Sequence, residues 1–178
     1  MPDSSSRARW AAIYTDTPLH DVSARFDDMG RSHYRMRYLS TLLECCPRGG
    51  TALETGIGTG FDSVWLSKRG VIAAGIDNVE VIVERANQAA NALNCSARFR
   101  VADMFSLYHQ GIPRVDLIHN QGVLEHYSLR VALRLLVASR AGGFSCFPYR
   151  FRHRLYRAAL PRSPMSSKAI PTGSLPAQ

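Results

Sequence analysis

No Asp or Glu follows Glu125 in this chain. Nor is there an apolar run near the ~18 residues that a membrane-crossing helix needs, so no transmembrane segment is expected. The start, Met1-Pro2-Asp3-Ser4-Ser5-Ser6-Arg7, has no apolar stretch behind its charges, and no secretory leader is expected. The four cysteines, Cys45, Cys46, Cys95 and Cys146, form no C-x-x-C pair and no Cys/His cluster. That argues against a zinc site or a disulfide framework and for a reducing cytoplasm; no metal is expected. There are no internal repeats. What remains is an ordinary globular composition, 46% apolar and 20% charged over 178 residues, enough for one domain with a sizeable core.

The missing acids explain the net charge of +8. Residues 1–125 hold 13 Lys+Arg against 14 Asp+Glu, a net of −1. Residues 126–178 hold 9 Lys+Arg against none, a net of +9. A balanced domain is therefore joined to a basic end rich in Arg, Ser and Pro.

Helical and extended periods alternate along the balanced part. Leu39, Leu42, Leu43 and Cys46 form a helical stripe over 32–46, stopped by Pro47 and Gly49-Gly50. Short apolar strands are expected at 51–54, 71–76, 97–102, 115–119 and 143–147. Helices are expected at 61–69, 79–93 and 129–138, with a short helix or loop at 105–110. Strands buried on both faces and alternating with helices make a doubly wound, mostly parallel α/β sheet.

In such sheets a ligand sits beyond the carboxyl ends of the strands. The first strand runs into Glu54-Thr55-Gly56-Ile57-Gly58-Thr59-Gly60, a glycine triple between strand and helix. The second ends in Asp77-Asn78, 21 residues after Gly56, where an acid can accept from both ribose hydroxyls or can cap the next helix. The third ends in Asp103-Met104-Phe105, which offers an acceptor for an exocyclic amine and flanks for a flat ring; a cap is the equal alternative. The fourth ends in Asn120-Gln121-Gly122. Glu54 beside the turn would repel a diphosphate but suits an ammonium group. The ligand should therefore carry adenine, ribose and an amino-acid-like cation, as S-adenosylmethionine does.

These segments resemble the motifs of class I S-adenosylmethionine-dependent methyltransferases. The glycine motif is Leu53-Glu54-Thr55-Gly56-Ile57-Gly58-Thr59-Gly60, the ribose motif Gly75-Ile76-Asp77, and the adenine motif Val101-Ala102-Asp103-Met104. The fourth-strand segment runs from Asp116 to Leu124-Glu125-His126. The resemblance covers roughly residues 32–140. It implies a Rossmann-like fold in which Gly56, Gly58 and Gly60 back the methionine part of the cofactor and Glu54 holds its amino group. Asp77, with Asn78 beside it, takes the ribose hydroxyls; Asp103 and Met104 meet adenine; Asn120 and Gln121 lie near the sulfonium. His126 is a weak candidate for a general base, with a surface or capping role the simpler reading. Trp10, Tyr14 and His20 cover the pocket or, on the simpler reading, only pack a loose N-terminal end. Asn120-Gln121-Gly122-Val123 stands where an Asn/Asp-Pro-Pro-aromatic sequence would point to nucleic-acid bases, so a small-molecule acceptor is expected.

Two other classes of function compete with this reading. In a dinucleotide (NAD-type) module the third glycine would stand where Phe61 is, and Glu54 opposes a diphosphate. A non-catalytic RNA-binding protein would use the basic end. Three segments are expected: 1–31 as an N-terminal segment, 32–148 as an incomplete cofactor domain, and 149–178 as a disordered basic tail. The family's sheet has seven strands, and the residues after Phe147 do not read as its closing hairpin. A shifted reading frame or a truncated or fused gene, with little activity, is the expectation for 126–178. A working arm for nucleic acid or an acidic membrane surface is the competing account.

Overall fold

A computed structural model describes residues 4–15, 26–28, 31, 33–46, 48–106, 115–128, 130–131 and 144–146. Among them are helices α1 (Ser4–Thr15), α2 (His33–Cys45), α3 (Phe61–Ser67) and α4 (Glu80–Ala92). The strands are β1 (Thr51–Thr55), β2 (Ile72–Asp77), β3 (Arg98–Val101), β4 (Leu117–His119) and β5 (Phe144–Cys146). The strands form one sheet in the order β3-β2-β1-β4-β5, and every pairing is parallel. This is the expected Rossmann-like α/β architecture. It puts β1, with its glycine turn, between β2 and β4.

Side-chain alternation assigns the faces. Ala52, Ala73 and Leu117 share a face and pack with Tyr38, Leu39 and Leu42 of α2 and with Phe61, Trp65 and Leu66 of α3. Glu54 pairs in register with His119 and with Gly75, so all three lie on that same helix-covered face. Leu53, Ile76 and Ile118 point the other way and pack with Met104 and Leu124. Residues 61–66 of α3 are all buried, because the helix lies between its neighbours over the sheet.

At the opposite end of the sheet, Asp116 ties β1 to β4. Its Oδ2 accepts from the Thr51 backbone N–H at 2.7 Å and from the Thr51 hydroxyl at 2.8 Å. Those bonds hold its carboxyl below the ordinary carboxylate range.

Three expectations need correction. Residues 4–15, read as part of a loose N-terminal segment, form α1, which lays Trp10 and Tyr14 against the cluster around α4. The strands are not all buried on both faces: β3 buries only Phe99, and Ile72 at the start of β2 is 66% exposed. As an edge strand β3 has a neighbour on one side only, so apolar residues there need not be covered, while Ile72 lies on the inner strand β2 ahead of the stretch that pairs with β3. His126 does not open a helix; it ends a 3₁₀ turn, Leu124–His126. Of the helix expected at 129–138, only residues 130 and 131 are described, and both are helical. The tail, 149–178, lies outside the described residues.

Candidate cofactor site

The glycine turn is built on left-handed backbone. Gly56, Gly58 and Gly60 have φ of +71°, +52° and +70°, a region where L side chains are strained. Gly56 N–H donates to Ile76 O at 2.8 Å and Gly60 N–H to Ile57 O at 2.8 Å, which fixes the loop against β2 and curls it into α3. The three glycines face different neighbours. A Cβ on Gly58 would lie 2.5 Å from the Tyr14 hydroxyl of α1. One on Gly60 would lie 2.8 Å from the Phe99 ring and 3.0 Å from the Ala86 methyl. The third glycine therefore serves close packing of the turn on α4 and β3.

Asp77 closes the turn from the β2 side. Its Oδ1 accepts from Val79 N–H at 3.0 Å. Burial raises its carboxyl, opposed by hydrogen bonds from the backbone of Val79, Gly58, Asn78 and Ile57. Asp77 is not the cap of α4, whose N-cap is Val79 with no side-chain cap bond; its carboxylate closes an Asx turn onto Val79 and gathers N–H groups from the glycine turn. Asp103 likewise accepts from Phe105 N–H, at 2.8 Å, at the foot of a short helical turn. Met104 is buried, and Phe105 and Tyr127 meet edge to face with centroids 5.1 Å apart. The Tyr127 hydroxyl is pushed up by burial and then by the charges of Asp103 and Asp77, so it stands near both carboxylates.

Asn120 is buried and Gln121 half-buried at the end of β4. His126 is exposed, with the Trp10 ring edge-on at 5.1 Å. The Tyr14 phenol is pushed up by burial and by the charges of Asp77 and Glu54, as expected for a group lying over the turn. His20 lies outside the described residues.

Glu54 is buried, and its Oε2 accepts from the Ser63 N–H at 3.1 Å and the Ser63 hydroxyl at 2.6 Å. Behind it lie groups the sequence reading gave no role. Arg35 of α2 donates to Asp62 Oδ1 through Nη2 at 2.7 Å and Nε at 3.0 Å. His119 Nδ1 lies 3.2 Å from the Tyr38 hydroxyl. Polar residues inside an otherwise apolar helix were the signal for them: Asp62 and Ser63 stand in the first turn of a helix buried all round.

A profile described as a methyltransferase domain matches residues 52–140. The chain belongs to this methyltransferase domain family. Structural comparison gives the same fold. The magnesium protoporphyrin IX methyltransferase of Synechocystis PCC 6803 with bound SAH is 22% identical, with a TM-score of 0.57 over 79% of this chain and 64% of its own. The same enzyme with bound SAM gives 22% identity and a TM-score of 0.56, covering 79% and 67%. A TehB-like SAM-dependent methyltransferase from Corynebacterium glutamicum is 23% identical, with a TM-score of 0.51, covering 72% and 71%. The chain thus spans 64% of the length of the SAH-bound Synechocystis enzyme's chain. A comparison with curated proteins finds no match. Among the described residues of this methyltransferase-family chain, no helix is long and apolar enough to cross a membrane.

The buried pair Glu54 and His119 gives the domain a particular pH profile. Burial, then the Asp62 charge, pushes Glu54 from 4.5 up to about 8. Burial pushes His119 from 6.5 down to about 3. Folded Glu54 keeps a proton that the unfolded chain loses, so its contribution falls as pH rises from 4.5 to about 8. Folded His119 refuses a proton that the unfolded chain takes, so its contribution falls as pH drops from 6.5 to about 3. Between 4.5 and 6.5 the two slopes oppose each other. Thermal melts of the protein without ligand should show a plateau there and a loss on either side, with Asp116 adding to the acid limb. Glu54→Gln should flatten the alkaline limb. A melting temperature that climbs between 6.5 and about 8 would contradict this assignment.

Proposed function

We propose that this chain binds S-adenosylmethionine beyond the carboxyl ends of β1 to β4 and transfers its methyl group to a small-molecule acceptor. The observation that carries the reading is the glycine turn with Asp77 closing it. Three glycines at positive φ give a backbone free of side chains, and the acid at the end of the adjacent strand is already surrounded by that backbone. Such a site fits a nucleoside joined to a compact, cationic group better than it fits a diphosphate, because buried Glu54 stands beneath the turn.

Bound there, the cofactor supplies a methyl group already activated by a sulfonium. The chain's part is to hold and orient. Asp77, with Asn78 beside it, accepts from the ribose hydroxyls. Asp103 and the Met104 backbone meet the adenine, with Phe105 and Tyr127 flanking the ring. The backbone of Gly56, Gly58 and Gly60 takes the methionine part, and Glu54 its amino group. Asn120 and Gln121 wall the side nearest the reacting centre. Alignment of two reactants alone can contribute several kcal/mol, so a base is required only where the acceptor's nucleophile holds a proton. His126 serves as that base only for an acceptor that reaches its exposed position beside Trp10.

Calorimetry with S-adenosylmethionine, S-adenosylhomocysteine and NAD tests the reading. Binding of the first two, uncompeted by NAD, is expected; preference for NAD would sink it. Asp77→Ala should weaken cofactor binding by about 1–3 kcal/mol, the range for a hydrogen bond to a charged group. Because Asp77 also gathers the turn's N–H groups, the melting temperature should drop as well. If affinity per folded molecule stays the same, Asp77 only holds the turn between β2 and α4.

A further inference from the structure

Glu54, Asp62 and His119 form a buried cluster between β1, α3 and β4. One donor atom from each lies within 4.8 Å of the others, and the residues are 3%, 1% and 0% exposed. Asp62 Oδ2 and His119 Nε2 have no hydrogen-bond partner. Buried polar atoms normally have one, so the gap calls for an occupant.

A charge count identifies it. Among the described residues the cluster holds two carboxyls and one fixed cation, Arg35, which reaches only Asp62 Oδ1, while burial disfavours a charge on the His119 imidazole. Tyr38 of α2 faces His119, and Ser63 of α3 donates to Glu54. Tyr14 of α1 and, beyond it, Asp77 of β2 act from the pocket side. None of these is a second cation. Two ionised carboxyls would leave one negative charge uncompensated and cut off from water, a state a carboxyl avoids by keeping its proton. The imidazole is arranged to help. The Tyr38 hydroxyl lies 3.4 Å from Asn120 O and donates to it. His119 Nδ1 lies 3.2 Å from the same hydroxyl, and His119 Nε2 is buried without a hydrogen-bond partner. A metal ion fits less well than a proton, since Arg35 already occupies Asp62 Oδ1 and Ser63 twice occupies Glu54 Oε2.

We propose that, before ligand binds, the Glu54–Asp62 pair stores one proton and exchanges it for the ammonium group of the cofactor. The inference rests on the reading of Glu54 as the amino partner. In the step, the carboxyl O–H bond breaks, the proton passes to water, and the freed carboxylate accepts an N–H from the ammonium; nothing is oxidised or reduced. Asp62 and His119 are positioning residues, which hold the proton on Glu54 until a cation arrives. The cluster thereby selects the amino-acid end of the ligand. A nucleoside without a cation leaves the proton in place.

The test is calorimetry on the full chain in two buffers of different ionisation enthalpy. The two ligands are S-adenosylhomocysteine, which carries the amino acid, and 5′-methylthioadenosine, which lacks it. Measurements belong below about pH 7.5, because an α-amino group titrates near 8. S-adenosylhomocysteine should release close to one proton, its affinity rising about tenfold per pH unit; 5′-methylthioadenosine should release none. Asp62→Asn should lower the proton release at neutral pH while binding persists, because the Asp62 charge, which raises Glu54 after burial, is gone. A purely structural Asp62 would leave the proton count unchanged. Binding of S-adenosylhomocysteine without proton release overturns the exchange and leaves the cofactor reading standing. Failure of both ligands to bind overturns both. A stoichiometric metal ion that survives chelator dialysis also overturns the stored proton.

Discussion

Arg35→Met should cost about 3 kcal/mol of stability, near the lower end of what breaking a buried ion pair costs. Asp62 is 1% exposed, and its carboxyl is held mainly by two N–H donors from Arg35 to one oxygen. Burial raises that carboxyl and Arg35 lowers it. Without the guanidinium, the Asp62 charge stands unpaired in the core beside Glu54, and the fold must absorb that charge or take up another proton. The guanidinium also lies over the Phe61 ring at 4.7 Å, so its loss removes packing as well as charge. A drop of roughly 6–12 °C in melting temperature follows from the size of the chain. The companion Asp62→Asn/Arg35→Met should recover much of the loss, since no buried charge is then left over. Denaturant melts of the two variants decide: a double variant no better than Arg35→Met would mean that lost packing, and not the unpaired carboxylate, sets the cost.

Gly60→Val should be at least as damaging. The residue has φ +70°, where a β-branched side chain is strained by about 1–2 kcal/mol. Its Cβ would lie 2.8 Å from the Phe99 ring and 3.0 Å from the Ala86 methyl. Phe99 is the one buried residue of β3 and Ala86 is fixed on α4, so the new atoms have nowhere to go. Overpacking adds about 1–3 kcal/mol, and a typical domain has only about 5–15 kcal/mol in all. A large fall in the urea midpoint is expected, with cofactor affinity lost in step. Gly58→Ala makes the contrast. Its Cβ meets the far end of Tyr14, a side chain that can move, so it should weaken cofactor binding more than it destabilises the fold. Equal stability losses for the two variants would refute this division of labour.

The sequence by itself determined the elements of the sheet and the order of the ligand turns. Short apolar runs at 51–54, 71–76 and 115–119, separated by helical stripes and glycines, leave a buried parallel sheet as the economical arrangement. Once β1 is followed by Gly56, Gly58 and Gly60, backbone sterics alone put a tight left-handed turn at the carboxyl end. The places of Asp77, Asp103 and Asn120 were legible too, since each stands at a strand end or within two residues of one. What only the tertiary structure decided are contacts between segments far apart in the chain. Arg35 and Asp62 are 27 positions apart and Tyr38 and His119 are 81 apart; no local period records such pairs. Nor could the sequence tell that Gly60 backs onto Phe99 while Gly58 faces Tyr14, because that depends on how α1 and α4 dock on the sheet. Register made the last choice. Glu54 and His119 are neighbours on one face only because β1 and β4 pair in parallel at that position, and a shift of one residue would have turned one of them away from the other.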